Sequence, residues 1–250
     1  MRPRLLLAAA VVAVVAVAGV LWFLNRDTPD AVDLDRALAD ATASEDAAAA
    51  DAPVATDDPE EEADDALTDA TGTWRVDPDF VPFDPETGSG SWVGYRIDEE
   101  LSGIGAYTAV GRSPRVEGRI VIDGARVVEA EITADLQGLV SDNANRDGRI
   151  RPLFADRPVT FTLADPVDFG SIPSDGQRVI VTADGELAIG DVTRPVTVEL
   201  SADVAGRRIV VTGSTLVVLA DFDVAVPSAP VVLSVSDEAT VELQLYLARD

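Results

Sequence analysis

From Gly72 onward, apolar and polar side chains alternate with a period of two, and Gly, Asp and Pro interrupt the alternation at short intervals. The clearest run places Val128, Ala130, Ile132, Ala134 and Leu136 on one side and Glu129, Glu131, Thr133 and Asp135 on the other, the pattern of a strand with one buried and one wet face. The last run does the same with Val241, Leu243, Leu245 and Leu247 against Glu242, Gln244 and Tyr246. Between them the spacing predicts strands over Thr73–Asp77, Trp92–Ile97 (Val93, Tyr95 and Ile97 together), Val116–Ile122, Val159–Leu163, Arg178–Ala183, Glu186–Ile189, Pro195–Ala202 and Arg207–Leu219. Asp123-Gly124 and Ala205-Gly206 read as turns. About eight to ten strands at hairpin spacing, with no long helix to serve as a parallel crossover, make the domain all-β and antiparallel, a barrel or a sandwich. About eight strands closed into a barrel leave an interior that is either filled by side chains or holds one small ligand.

The alternation breaks for longest just before Val159. Asn143, Asn145, Asp147 and Gly148 match the first half of a calcium loop, but its twelfth position is Phe154 in place of the bidentate Glu that such a loop needs. The segment therefore reads as an Asx-rich turn capping a short helical stretch near 143–154, with no metal. It also carries Arg146, Arg149 and Arg151. Guanidinium groups pair bidentately with anionic oxygens, which makes Arg146 and Arg151 candidates for a ligand head group. Ion pairing that fastens the loop to the barrel is the competing role, since Gly72 to Asp250 holds 29 acidic residues.

The first quarter of the chain has a different texture. Leu5 to Leu24 is 20 residues without charge, preceded by Arg2 and Arg4, long enough to cross a hydrocarbon core of about 30 Å. Residues 1–26 thus read as a membrane anchor with its N-terminus inside and the remainder outside. The alternative is a signal peptide cleaved after Ala16-Val17-Ala18, with secretion of the rest. Asp27 to Thr71 carries 16 acidic residues and one Arg among Ala, Thr, Pro and Ser. Val32, Leu34 and Leu38 offer too little apolar face for a helix to persist alone in water, so 27–71 reads as a disordered acidic linker holding a domain of residues 72–250 off the membrane.

Composition removes whole classes of chemistry. The chain has no His and no Cys, and all 19 basic residues are Arg. Imidazole bases, thiolate nucleophiles, Cys/His zinc sites, disulfides and lysine Schiff bases are absent with them. The net charge of -26 repels phosphate backbones and argues against nucleic acid. Carboxylate pairs such as Glu99-Glu100 show no spacing that separates them from surface charge, so no catalytic residue and no cofactor is assigned. The inward sets do suggest a lumen: Val93, Tyr95, Val128, Ala130, Ile132, Ala134, Val159, Phe161, Val196, Val198, Leu243 and Leu245 form a small-apolar wall suited to a long-chain lipid, at about 0.8 kcal/mol per buried methylene. The alternative is that they are simply core, in a structural or interaction module at the cell surface whose barrel takes no ligand.

Several ordered motifs add a resemblance. GTWRVDP at Gly72–Pro78 looks like a first strand, followed by the insertion-like FVPFDPETGSG and by SWVGYRIDEEL. NANRDGRIR resembles an R-D-x-H-L-R motif through Arg146, Asp147 and Arg151, with Arg149 where His is usual and Ile150 where Leu is usual. PVTFTL at Pro158–Leu163, GELAIGDVTRPVTVEL at Gly185–Leu200 and the closing VELQLYLA fit as well. Together they resemble the YceI-like family of lipocalin-like, polyisoprenoid-associated proteins. The resemblance implies an eight-stranded antiparallel barrel with an elongated apolar tunnel, an isoprenoid-like ligand and no catalysis.

Overall fold

The computed structural model describes residues 28–51, 67, 69–171, 178–227 and 229–250. Its register turns the alternating runs into a cylinder. Strands β1 (Gly72–Val76), β4 (Val116–Asp123), β5 (Arg126–Ala134), β7 (Val159–Leu163), β9 (Val179–Ile189), β10 (Val192–Ala205), β11 (Arg208–Val218) and β13 (Glu238–Arg249) pair antiparallel in that order. The last returns to the first through Trp74↔Arg249 and Val76↔Leu247. Eight strands thus close on themselves, which removes the free edges an open sheet would present. At the other end of the cylinder the same positions are held by β2 (Trp92–Leu101), paired with the first half of β13, and β3 (Gly105–Ser113), which runs past Pro114 into β4. Short β6 (Val140–Ser141), β8 (Val167–Asp168) and β12 (Val232–Val235) pair with β3, β5 and β2.

Where β1 hands over to β2 the ladder has a gap, and a buried side chain fills it. The Ser91 hydroxyl donates to the carbonyl of Asp77 at 3.2 Å and accepts from the amide of Tyr246 at 3.1 Å. The amide of Asp77 donates to the Tyr246 carbonyl at 2.8 Å. These three bonds give buried backbone groups at the junction the partners that burial requires.

Two glycines explain places where the sequence pattern falters. Gly185 splits the two runs expected over 178–189, yet β9 is continuous. A Cβ there would stand 2.4 Å from the ring of Phe161, so the missing side chain is the space that ring occupies. Gly206, at φ +52, opens the two-residue turn that leaves Ala205 paired with Arg208. Strand β3 was not anticipated. Its second half, from Ala109 to Ser113, is buried on both faces, so it shows no alternation to read.

The expected acidic linker is corrected in its first half. Residues Leu34–Asp51 form helix α1, with the Asp33 carboxylate accepting from the amide of Arg36 at 2.9 Å at its start. Leu34, Ala37 and Ala41 are buried against Ala205, Val210 and Tyr246 on the outer face of β10, β11 and β13, and Phe80 and Val81 pack beside them. Alone the helix lacks an adequate apolar face, as the sequence suggested. Docking supplies the missing partner surface, and two alanines let the backbone come close to the sheet. The rest of the linker, 52–66 and 68, lies outside the described residues, as does the expected membrane anchor at 1–26. Among the described residues no helix is long and apolar enough to cross a membrane.

The outer face of β13 is consequently not wet. Glu242, Gln244 and Tyr246 are all buried. The Gln244 amide donates to the carbonyls of Gly88 and Gly90 at 3.1 and 2.9 Å. Glu242 Oε1 accepts from Arg96 Nε at 3.2 Å and from the amide of Val32 at 3.2 Å. Arg112 stacks 4.6 Å from the Trp92 ring centroid and donates to the carbonyl of Asp30 at 2.8 Å. Residues 29–51 and 77–91 thus form a second layer over one side of the barrel.

Candidate functional site

Inward alternation from the strands encloses two cavities in series. The first, about 180 Å³, lies toward the end that carries β1 and the β10–β11 hairpin; its wall is apolar save for Thr215. The second, about 680 Å³, lies toward the β2–β3 hairpin and the 219–237 loop. Val93, Val159 and Val241 belong to the walls of both, so the two are successive chambers of one lumen meeting at a waist of three valines.

Of the residues expected to face inward, Val93, Ala130, Ile132, Ala134, Val159, Phe161, Val196, Val198, Leu243 and Leu245 line the first chamber, and Tyr95 the second with Val93 and Val159. Val128 does not line either. The β4–β5 ladder slips between Val121↔Glu129 and Ile122↔Val127, so a bulge at Val128 inverts the alternation and Val127 takes the wall position. Leu187, Leu200, Ile209 and Val211 also line the first chamber; alternation marks their runs as strands but does not single them out as lumen residues.

The 143–154 segment closes the second chamber from one side. Helix α2 (Ala144–Ile150) is capped by Asn143, whose side chain accepts from the amides of Asn145 and Arg146. A tighter turn, Arg151–Phe154, follows and puts Leu153 and Phe154 on the chamber wall. Buried Asp147 accepts from the Ser141 hydroxyl at 2.5 Å and from Arg151 Nη2 at 3.4 Å, and Arg151 Nε donates to the carbonyl of Leu139 at 2.7 Å. Arg151, expected at a head group, is therefore turned away: it joins the loop to β6 and lies on neither chamber wall.

Arg146 does line the second chamber, but its charge is already committed. Nη1 meets Asp142 at 2.6 Å, Nη2 meets Glu99 at 3.4 Å, and the guanidinium sits 5.4 Å from the Tyr107 ring centroid. Tyr107 donates to the other oxygen of Asp142 at 2.6 Å. Burial, with that carboxylate next, pushes the Tyr107 phenol up to about 12.

Two polar groups on the same wall remain available. The Tyr95 hydroxyl is buried with no hydrogen-bond partner among the described residues, and burial raises its pKa strongly, so it stays a neutral donor. Arg149 is exposed at the chamber mouth. In sequence Arg149 is distinguished only by standing where the resembled motif has His, and that does not say which of the three arginines faces the opening.

A family model for the YceI-like domain matches residues 89–247, well over half of the chain. Among solved structures, a polyisoprenoid binding domain from Saccharophagus degradans, implicated in plant cell wall breakdown, superposes with a TM-score of 0.52 at 17% identity, covering 71% of this chain and 98% of that one. BcnA of Burkholderia cenocepacia gives 0.45 at 16% identity over 62% and 95% of the two chains. A YCEI protein of Campylobacter jejuni gives 0.43 at 15% over 56% and 84%. No curated protein sequence matches.

Proposed function

The chain belongs to the YceI-like domain family, and on that premise we propose that it is a lipid-binding protein whose barrel holds the apolar chain of an isoprenoid-like amphiphile without chemical change, on the outer side of a membrane. The observation that carries the reading is the inner chamber. An apolar wall of Val, Leu, Ile, Ala and Phe with a single hydroxyl, continuous with a wider chamber that holds polar groups, suits a hydrocarbon tail inside and a polar end outside. That the Saccharophagus degradans domain of the same fold is a polyisoprenoid binder is consistent with it.

Affinity for such a ligand comes from tail length, at about 0.8 kcal/mol per methylene removed from water. The wall offers few directional contacts to discriminate among tails. The head would meet the unpartnered Tyr95 hydroxyl and the Arg149 guanidinium, in place of the Arg146 and Arg151 pair suggested by sequence. A barrel filled by its own side chains is disfavoured by the two chambers. The outward location rests on Arg2 and Arg4 preceding the uncharged run Leu5–Leu24.

Native mass spectrometry of protein extracted from its own membrane tests the reading. The expected result is a co-purifying lipid mass, or uptake of the nonaprenol solanesol on titration. Protein that is empty on extraction and takes up no solanesol overturns it.

A further inference from the structure

The exposed large apolar side chains are not scattered. Ile104, Leu216, Val218, Val226, Val231 and Leu233 all stand at the end of the barrel where the wider chamber opens, with Val231 59% and Leu233 66% exposed. Only Ile180, near the opposite end of β9, departs from this among the described residues. The collar is built from the β2–β3 hairpin, the end of β11 and the segment that follows it to β13, the hairpin and that segment being joined where the amide of Ser102 donates to the carbonyl of Val231 at 2.8 Å. Ile104, Val226 and Val231 also line the chamber, so on the side of the hairpin and that segment the exposed apolar surface continues into the lumen, with Arg149 among the polar groups at the mouth.

The path of the N-terminal segment points the same way. Read backwards along the outer wall, Ala37 lies at Tyr246, Val32 at Glu242, and the carbonyl of Pro29 at the Arg96 guanidinium, which itself bonds Glu242. The chain therefore climbs along β13 toward Glu238, the end that carries the collar. Four residues, Asn25 to Thr28, lie between Pro29 and Leu24, the last of the 20 uncharged residues, so five chain steps join the two. At about 3.4 Å per residue their reach is at most about 17 Å. A connection of that length ties any bilayer that takes up the uncharged run to this side of the barrel, the opposite of a long spacer. Asp221, Asp223, Asp237 and Glu238 at this end set a strongly anionic surface at a disadvantage.

We propose that the collar is a membrane-docking surface that seats the open mouth of the lumen on a bilayer dominated by zwitterionic lipid, so that a ligand passes between bilayer and barrel without crossing water. The use of the surface rests on the lipid-binding reading above; its position against the bilayer does not.

The test uses the full chain reconstituted in phosphatidylcholine vesicles. Because the chain has no cysteine, single fluorophores can be placed through Val231→Cys and Leu233→Cys on the collar and Asp123→Cys at the far hairpin. Docking requires that brominated lipid quench the collar probes and iodide quench the Asp123 probe. Collar probes as open to iodide as the far probe overturn the proposal, whatever the lumen binds. A second arm compares solanesol uptake from vesicles and from detergent micelles in a variant combining Leu216→Asp, Val218→Asp and Leu233→Asp, three exposed collar residues that line neither chamber. Uptake from vesicles slows roughly tenfold while uptake from micelles is unchanged. Equal slowing from both sources counts against docking, and absence of uptake from both by the unaltered chain counts against the lumen reading while the quenching result still decides the position.

Discussion

The phenolic oxygen of Tyr246 donates to the main-chain carbonyl of Ala37 at 3.0 Å, and neither residue has any surface exposed to solvent. A residue on the outer face of the last strand is thus bonded to a helix formed by the acidic N-terminal segment. Because Ala37 leaves no room for a longer side chain, Ala37→Leu should destabilise the protein by about 1–3 kcal/mol through overpacking. Urea denaturation reads the loss. Hydrogen exchange locates it: amides of α1 should lose protection well before those of β5, and equal loss in both would mean that the helix is not a separately docked layer.

Space in the inner chamber gives a contrasting case. Ala130 lines it and is only half-buried, so Ala130→Trp can extend into the lumen. Its ring should displace ligand, weakening solanesol uptake about tenfold, equivalent to about 1.4 kcal/mol, with the thermal midpoint held or raised. A variant that folds, melts normally and still takes up the prenol at full affinity would place the ligand elsewhere.

The two arginines on the outer chamber wall should behave differently. Replacing Arg146 by Gln leaves Glu99 and Asp142 facing each other in a poorly solvated site, at a cost of about 3 kcal/mol in stability. Arg149→Gln removes an exposed charge and should leave the denaturation midpoint within about 0.5 kcal/mol. It should weaken solanesyl phosphate roughly threefold and solanesol not at all. Isothermal titration with both lipids separates the roles; equal loss for the neutral and the charged lipid in Arg149→Gln would remove Arg149 from the head-group contact.

Strand positions, the closed antiparallel architecture and most of the lumen wall are legible in period-two alternation, because each inward residue is set by the pleat. Local alternation carries no information about irregularity, and so Val128 is misplaced: a one-residue bulge inverts the faces on one side of it. Nor does it show what covers a strand from outside. Glu242, Gln244 and Tyr246 look like a wet face because two of them are polar, yet distant segments bury them. Helix α1 was missed for the same reason, its apolar stripe being sufficient only against a partner that sequence does not reveal. In the Arg146–Arg151 segment the charges were visible but their partners were not. Asp142 and Asp147 each sit four residues from the arginine they hold, and nothing in the spacing says which guanidinium is left over.

The last prediction follows from what the chain lacks. With no His, Cys or Lys, only the terminal amine titrates between the carboxylates and the phenols, so stability should be flat from about pH 6 to about pH 10. All three tyrosines have raised pKa values: Tyr95 and Tyr246 first through burial, Tyr107 through burial and the Asp142 carboxylate, to about 12. A raised phenol pKa means that the folded state holds the proton more tightly than the unfolded state. The stabilisation is therefore complete below about pH 10, the ordinary phenol value, and is lost as pH rises through the folded value. Carboxylates such as Asp135, held below the usual range chiefly by its bond from Arg115, act with the opposite sign and lose their contribution as pH falls below about 4. Phenolate absorbance followed together with far-ultraviolet circular dichroism checks the alkaline limb. Ionisation should begin only above about pH 10 and rise in one step with loss of strand signal. Phenolate that appears near pH 10 with the strand signal intact would show that the tyrosines are not held in this way.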